Sequence, residues 1–347
     1  MRRFIFVAAL VCHAQTPGTI RVSVNLVTVA CSVSDRNGAP VKSLKREDFA
    51  LLDDGKPREI QYFWQESDLP LTVGLVADVS GSEIGVIRKH REMITQFLAQ
   101  VIGPQDRAFI VTVGQEVKLL RDLTGSIDDL RSGVEAIQGG GRQGEQLGEP
   151  CRGPDAPRRR RHIMPGCGGT ALWNGVYAAA RLKMKPLTGR KALIVLTDGM
   201  DTGSFHTLVD AIEAAQSADT LVYTIREVSP VLKYNPGLGQ IGLALGNSHL
   251  RRLSEETGGQ AFGSPKDPSG IFSQIENELR NLYVLGFTPG EAAQDGKFHK
   301  LQVKASQADL RVRTRKGYTS RRAYSTWGLR PFLRSTSWAA ATVSGST

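Results

Sequence analysis

Between positions 71 and 282 the chain repeats a pattern that few folds can accommodate. Four short, almost wholly apolar runs, 71–77, 108–113, 192–196 and 221–225, are separated by stretches whose apolar residues recur at helical spacing, as at Ile84, Ile87, Ile94, Phe97, Leu98 and Val101. Further helical stretches fall at 172–182, 208–215 and 271–282. A strand that is apolar on both faces has to be covered on both faces, and helices between successive strands make those strands parallel. The predicted core is an α/β unit, a Rossmann-like, doubly wound, mostly parallel sheet.

Outside this unit the apolar period shortens to two. Alternating segments in 19–63 surround the turns Asp35-Arg-Asn-Gly38 and Asp54-Gly55, and those at 283–287, 298–303 and 310–314 surround Asp295-Gly296. Asn-Gly and Asp-Gly turns between alternating segments are hairpin signals. β sequence on both sides of an α/β unit predicts one antiparallel β-sandwich formed by the N- and C-terminal flanks, with the α/β unit inserted between its halves. The expected division is a signal peptide at 1–14, one half of the sandwich at 19–65 and the α/β domain at 71–282. A Gly/Pro/Arg-rich insert at 139–168 interrupts that domain. The other half of the sandwich follows at 283–319, and a disordered tail at 320–347.

The N-terminus sets the expected compartment. Arg2-Arg3, the apolar stretch from Phe4 to Cys12 and the small residue Ala14 follow the order of an export signal, with cleavage expected after Ala14. The stretch is too short to span a bilayer, so no integral membrane segment is expected after cleavage, and the protein is placed outside the cytoplasm: secreted, periplasmic or in the cell envelope. Export permits a disulfide between Cys151 and Cys167 and leaves Cys31, in an apolar strand pattern, as a buried free thiol. The net charge of +10 gathers from Lys297 onward, where eleven Lys and Arg face Asp309 alone. In 310–318 these basic residues alternate along a strand, a solvated face without any recognition-helix or zinc-finger pattern, so nucleic acid is not an expected partner.

Chemistry concentrates where apolar runs end. The first ends in Asp78-Val-Ser80-Gly-Ser82, the third in Thr197-Asp198-Gly199, and Gly168-Gly169-Thr170 precedes a helix. In open α/β sheets the carboxyl ends of the strands are where ligands bind. Two carboxylates and three hydroxyls are hard oxygen donors suited to Mg²⁺, with Mn²⁺ or Ca²⁺ as substitutes.

Asp78, Ser80, Ser82, Thr170 and Asp198 match the D-x-S-x-S, Thr and Asp pattern of the metal-ion-dependent adhesion site (MIDAS), and in these positions the chain resembles the von Willebrand factor A-like (VWA) family. The resemblance covers about 71–282. The flanking β segments, with Asp198-Gly-Met-Asp201 and the stretch from Asp295-Gly-Lys-Phe298 to Gly317-Tyr318, are similar to the exported bacterial proteins of this family. It implies that Ser80, Ser82 and Thr170 coordinate the metal directly, that Asp78 and Asp198 hold it mainly through waters, and that the open position takes an Asp or Glu side chain from a partner protein. Asn174 departs from the family pattern, where many members carry Asp, and Glu83 is a possible internal competitor for the metal or a solvated helix acid.

The sequence thus reads as a binding module rather than an enzyme. An alternative is a structural or assembly protein whose metal staples the fold without exchanging ligands. A remoter one is a hydrolase of phosphatase type, but that chemistry needs a second acid where Ser80 stands. Gly139 to Gly144 fits G-x-G-x-x-G without the preceding strand that a dinucleotide site requires. His90 and His206 read as solvated or capping residues, and Trp173 and Tyr177 as packing.

Overall fold

The computed structural model describes residues 26–66, 69–80, 86–139, 144–147, 169–228, 238–265, 267–290 and 295–320. The expected signal segment, Ser82, Glu83, Cys151, Cys167, Arg158 to Arg161 and the tail beyond Ser320 lie outside the described residues. Strands β1 (Val27–Ser34), β2 (Phe49–Asp53), β3 (Lys56–Arg58) and β4 (Tyr62–Glu66) come first. The α/β unit follows as β5 (Leu71–Asp78), α1 (Ile87–Val101), β6 (Arg107–Val113), β7 (Val117–Thr124), α2 (Ile127–Glu135) and β8 (Glu145–Gln146). It continues with α3 (Leu172–Ala178), β9 (Arg190–Thr197), α4 (Leu208–Ser217), β10 (Leu221–Arg226), α5 (Leu238–Thr257), β11 (Ala261–Phe262) and α6 (Ser269–Arg280). The last strands are β12 (Leu282–Phe287), β13 (Phe298–Ala305), β14 (Arg311–Thr314) and β15 (Gly317–Thr319).

Seven strands make one sheet in the order β11-β10-β9-β5-β6-β7-β8. The pairs from β11 to β6 are parallel, and β7 and β8 are antiparallel additions at one edge. Helices cover both faces, giving the VWA-like, Rossmann-type fold that the sequence pattern anticipates. Along β5 the side chains divide by alternation. Leu71, Val73, Leu75 and Ala77 pack with the apolar residues of α1, α2 and α6, whereas Val76 packs with those of α3, α4 and α5. Gly74 is the one β5 position without a side chain because its neighbours fill the space: an added Cβ would lie 2.4 Å from Phe109 Cζ and 2.5 Å from Leu193 Cδ2.

Helix α1 buries Ile87, Met93, Ile94, Phe97, Leu98 and Val101. Phe97 meets Phe272 of α6 edge to face at 5.3 Å. Each such side chain withdrawn from water contributes about 1.5–3 kcal/mol before the cost of ordering it. Two elements depart from the expected pattern. β7 is not evident among the apolar runs because it is a half-buried strand, covered on its outer side only by the two-residue β8, in which Val117 and Leu119 face inward between polar residues. The helix expected over 172–182 changes after Ala178 to a π-helical turn, Ala179–Met184, closed by Lys185 N–H donating to Ala180 O.

Two four-stranded antiparallel sheets, β14-β1-β12-β4 and β15-β13-β2-β3, pack around Val29, Cys31, Phe49, Leu51, Tyr283, Leu285, Phe287 and Leu301. The flanks interleave. β1 lies between β12 and β14, and β2 pairs with β13, so neither flank has a complete sheet without the other. Cys31 is the buried free thiol expected, and burial pushes its pKa up to about 12, leaving no thiolate for chemistry. Arg315 ties this layer to the α/β unit, donating to Thr28 O at 2.7 Å and to Gln216 O, at the end of α4, at 2.8 Å. Among the described residues no helix is long and apolar enough to cross a membrane.

Candidate metal centre

The strand order reverses between β5 and β9. The helix after β5 leads to β6 on one side, and the helix after β9 leads to β10 on the other. Loops leaving the two carboxyl ends diverge there, which opens a crevice. Asp78 closes β5 and Asp198 follows β9, so the two acids border that crevice from adjacent strands, and both have 0% of their surface exposed.

Local hydrogen bonds fix each acid. Ser80 N–H donates to Asp78 Oδ1 at 3.0 Å, and the Thr197 hydroxyl donates to Asp78 Oδ2 at 2.7 Å. Met200 N–H donates to Asp198 Oδ1 at 2.8 Å, and Gly199 N–H donates to the Thr197 hydroxyl at 3.1 Å. These short bonds from backbone N–H groups and a hydroxyl hold the acids in place. Burial first, and the negative charge of Asp198 second, push the Asp78 carboxyl up to about 7.

Thr170 belongs to the same edge. Ala171 N–H donates to Gly114 O just beyond β6 at 2.7 Å, and Thr170 O accepts from Thr202 N–H and Gly203 N–H at 3.1 and 2.9 Å. The Thr202 hydroxyl accepts from Thr170 N–H at 3.0 Å. Thr170 is thereby knitted to the 198–204 loop. Of the five expected site residues, Asp78, Ser80, Thr170 and Asp198 lie at the carboxyl-end loops of the sheet, while Ser82 lies outside the described residues.

The loop after Asp198 depends on two residues with different sequence signals. Asp201 accepts from Trp173 N–H at 3.2 Å and from the Ser204 hydroxyl at 2.6 Å, serving the open start of α3, and burial raises its pKa. Asn174 Oδ1 accepts from Phe205 N–H and His206 N–H at 3.2 and 3.0 Å. The departure at Asn174 is therefore a structural brace for the loop. Gly199 is required by its backbone: its φ is +86°, and a Cβ would lie 2.7 Å from Gly246 O on α5.

His90 is not the solvated or capping residue its sequence position suggested. It is fully buried, and its Nδ1 lies 3.1 Å from Asp78 O. A carbonyl only accepts, so Nδ1 carries the hydrogen. Burial lowers the His90 pKa to about 4, which keeps the ring neutral beside the acids. His206 stacks on Tyr177 with ring centroids 3.6 Å apart.

A second set of ligand-type groups occurs in the sandwich, where Asp53, Asp54 and His299 bring donor atoms within 4.8 Å of one another. Those groups are already engaged by neighbouring side chains. His299 Nδ1 lies 2.8 Å from Asp54 Oδ2 and its Nε2 lies 3.1 Å from Asp295 Oδ1, while Asp53 is held by Arg58 and Tyr318. An imidazole between two carboxylates is an ion-pair node. The Asp-Gly turns at 54–55 and 295–296 marked the place in the sequence, but not the histidine that joins them.

No protein-family model matches the chain, and no curated protein does. Among solved structures, the chain is similar to a conserved hypothetical protein, BatB, from Bacteroides thetaiotaomicron. The identity is 16%, over 60% of this chain and 98% of that one, with a TM-score of 0.43. It is also similar to proximal thread matrix protein 1 from the mussel byssus, solved with a zinc-occupied MIDAS motif, at 14% identity over 65% of this chain and 49% of that one, TM-score 0.42. A von Willebrand factor type A structure from Catenulispora acidiphila shares 11% identity over 87% of this chain and 75% of that one, TM-score 0.40. The fold assignment rests on the strand order and connections described above.

Proposed function

We propose that this chain is an exported, cation-dependent protein-binding module. A divalent ion, Mg²⁺ in the first instance with Mn²⁺ or Ca²⁺ as substitutes, is held by Asp78, Ser80, Ser82, Thr170 and Asp198 and receives an Asp or Glu side chain of a partner protein. The observation that carries this reading is the pair of fully buried acids, Asp78 and Asp198, at the strand-order reversal, with hydroxyl-bearing residues beside them. Two neighbouring buried acids are costly to ionise together, as the raised pKa of Asp78 beside Asp198 reflects, and a divalent ion offsets that cost. The donor set is all oxygen, as Mg²⁺ requires.

When bound, the ion supplies a positive charge that attracts a carboxylate. The chain's own residues place that charge, with Thr197 orienting Asp78 and the Asp201 and Asn174 hydrogen bonds holding the loop that follows Asp198. The charged, apolar and small-residue order of the first fourteen positions supports export.

The test is thermal unfolding in chelator and in rising Mg²⁺, for the wild type and Asp198→Ala. Ion at about 100 times Kd adds ~2.7 kcal/mol, roughly 5–10 °C for a protein of this size. A rise in the wild type that Asp198→Ala abolishes is the expected result, and no rise with Mg²⁺, Mn²⁺ or Ca²⁺ refutes the site. Carboxylate capture is read on the Mn²⁺-loaded protein. An Asp-bearing peptide should lower water-proton relaxation by displacing metal-bound water, while its Asn counterpart should not. Equal behaviour of the two peptides points to a structural staple instead.

A further inference from the structure

Helix α1 follows the Asp78–Ser80 segment in the chain, yet its first turn is built against the usual electrostatics. It has no capping side chain at Val86 and no acid, and it carries Arg88 and Lys89. The amino end of a helix is its positive end, so basic residues there are unfavourable unless an anion compensates. Lys89 has such an anion in Glu227, which directly follows β10 and is 1% exposed. Lys89 Nζ lies 2.7 Å from Glu227 Oε2 and donates also to Pro265 O at 3.0 Å. The Ser264 hydroxyl adds a bond to the same Glu227 oxygen at 3.0 Å, and the other oxygen, Oε1, is buried with no hydrogen-bond partner among the described residues.

A half-satisfied buried carboxylate is an expensive way to hold a helix end. Its position explains what it achieves. Glu227 N–H donates to Thr197 O at 3.0 Å, the Thr197 hydroxyl donates to Asp78 Oδ2 at 2.7 Å, and Asp78 O accepts from His90 at 3.1 Å. His90 is the neighbour of Lys89. The contacts therefore close a ring, from Lys89 through Glu227, Thr197, Asp78 and His90 back to Lys89. Asp78 is gripped in it by both its carbonyl and its carboxylate. Opening the ring at the ion pair removes this tie between the start of α1 and the residue after β10. It so loosens the support of His90, which grips the Asp78 carbonyl, while Thr197 and Ser80 still hold its carboxylate.

We propose that Lys89 and Glu227 are positioning residues for the cation site, closing a ring that fixes Asp78 between α1 and the ends of β9 and β10. The inference rests on the metal reading above and adds to it two residues outside the metal-ligand pattern. Neither touches the ion; both act through Thr197 and His90.

Mn²⁺ affinity is measured by titration on the full chain, well below its melting temperature, for the wild type, Glu227→Gln, Lys89→Met and Lys89→Arg. Both neutralising variants are expected to weaken binding about tenfold or more, the usual scale for residues that orient metal ligands. Lys89→Arg, which keeps the ion pair, stays near the wild-type Kd. In chelator, backbone hydrogen exchange over 87–91 speeds up in both neutralising variants. Three results overturn the proposal. An unchanged Kd with a lowered melting temperature makes the pair a plain brace. Weaker binding in Glu227→Gln with tighter binding in Lys89→Met makes the effect one of charge alone. A wild type that binds no Mn²⁺ removes the metal reading itself, and the wild-type titration alone shows that failure.

Discussion

Replacing Asp78 by Asn is expected to stabilise the cation-free protein while abolishing its response to Mg²⁺. Asp78 is fully buried, and burial together with the charge of Asp198 raises its pKa from 3.8 to about 7. A carboxyl with a raised folded pKa takes up a proton on folding. Its penalty is nil below about pH 4, grows as pH rises, and is complete above about pH 7. At about 1.4 kcal/mol per pH unit, a displacement of roughly three units costs the fold on the order of 4 kcal/mol at pH 8. Asn removes the charge and keeps an acceptor for Ser80 N–H, but its amide nitrogen cannot accept from the Thr197 hydroxyl, whose bond to Asp78 is 2.7 Å long. That loss offsets the gain by about 1–2 kcal/mol. The net gain of about 2 kcal/mol corresponds to roughly 4–8 °C in melting temperature. Scanning calorimetry in chelator at pH 8 and pH 5 reads it, with the advantage of Asn shrinking at the lower pH. A variant that melts below the wild type at pH 8, or that shows the same difference at both pH values, refutes the electrostatic reasoning.

Gly199→Ala is expected to cost about 2–4 kcal/mol and to blunt the Mg²⁺ response, because the new Cβ would meet unyielding backbone, Gly246 O at 2.7 Å and Gly246 C at 2.8 Å, at a positive φ. Denaturant unfolding checks it, and a change under 1 kcal/mol contradicts the contact. Asn174→Ala strips the acceptor from two backbone N–H groups and costs about 1–3 kcal/mol, whereas Asn174→Asp keeps the acceptor and stays within about 1 kcal/mol of the wild type. Equal losses in both would show that the side-chain oxygen is not what holds the 205–206 backbone. His299 gives a pH signature in the sandwich. Burial alone would lower its pKa, but its bonds to Asp54 and Asp295 outweigh this and raise it above 6.5, so its contribution is full below about pH 6.5 and fades as pH rises through the raised value. The pKa values of Asp54 and Asp295 are lowered, so their share is present above 3.8 and fades as pH falls through their lowered values. The urea-midpoint gap between the wild type and His299→Asn is therefore expected to be wider at pH 5.5 than at pH 9, and an equal gap removes the charged node.

How much of the fold the sequence disclosed follows from how each strand is buried. β5 and β9 are buried along their whole length because helices cover both their faces, and the nearly apolar runs this leaves at 71–77 and 192–196 mark them without reference to distant residues. β7 faces the core with alternate residues only, next to the short edge strand β8, and its Lys118, Arg121 and Asp122 hide it among loop-like residues. The sandwich was legible for a different reason. Its hairpin turns are local, and flanks that alternate in period two need a partner sheet. The register in which β1 slips between β12 and β14 is set by packing across more than 240 positions of chain, as between Cys31 and Tyr283, and no local pattern encodes it.

The same division runs through the metal edge. Asp78, Ser80, Ser82, Thr170 and Asp198 stand out because oxygen-bearing side chains follow apolar runs or open a helix, a contrast visible within a few residues. Thr197, His90, Lys89 and Glu227 carry no such contrast. Thr197 looks like the last residue of a strand, His90 and Lys89 like a polar turn of a helix, and Glu227 like a loop acid. They acquire their roles only when β5, β9 and β10 lie side by side and α1 returns across their ends. A ligand must present a donor atom, so its residue type is restricted and can be read. A positioning residue must only reach a particular neighbour, so many residue types can serve and the choice is written in the fold. On the proposed metal reading, a sequence therefore displays the donor atoms sooner than the contacts that hold those atoms still, and a chain could keep all five proposed donors yet lose affinity through a change at Glu227.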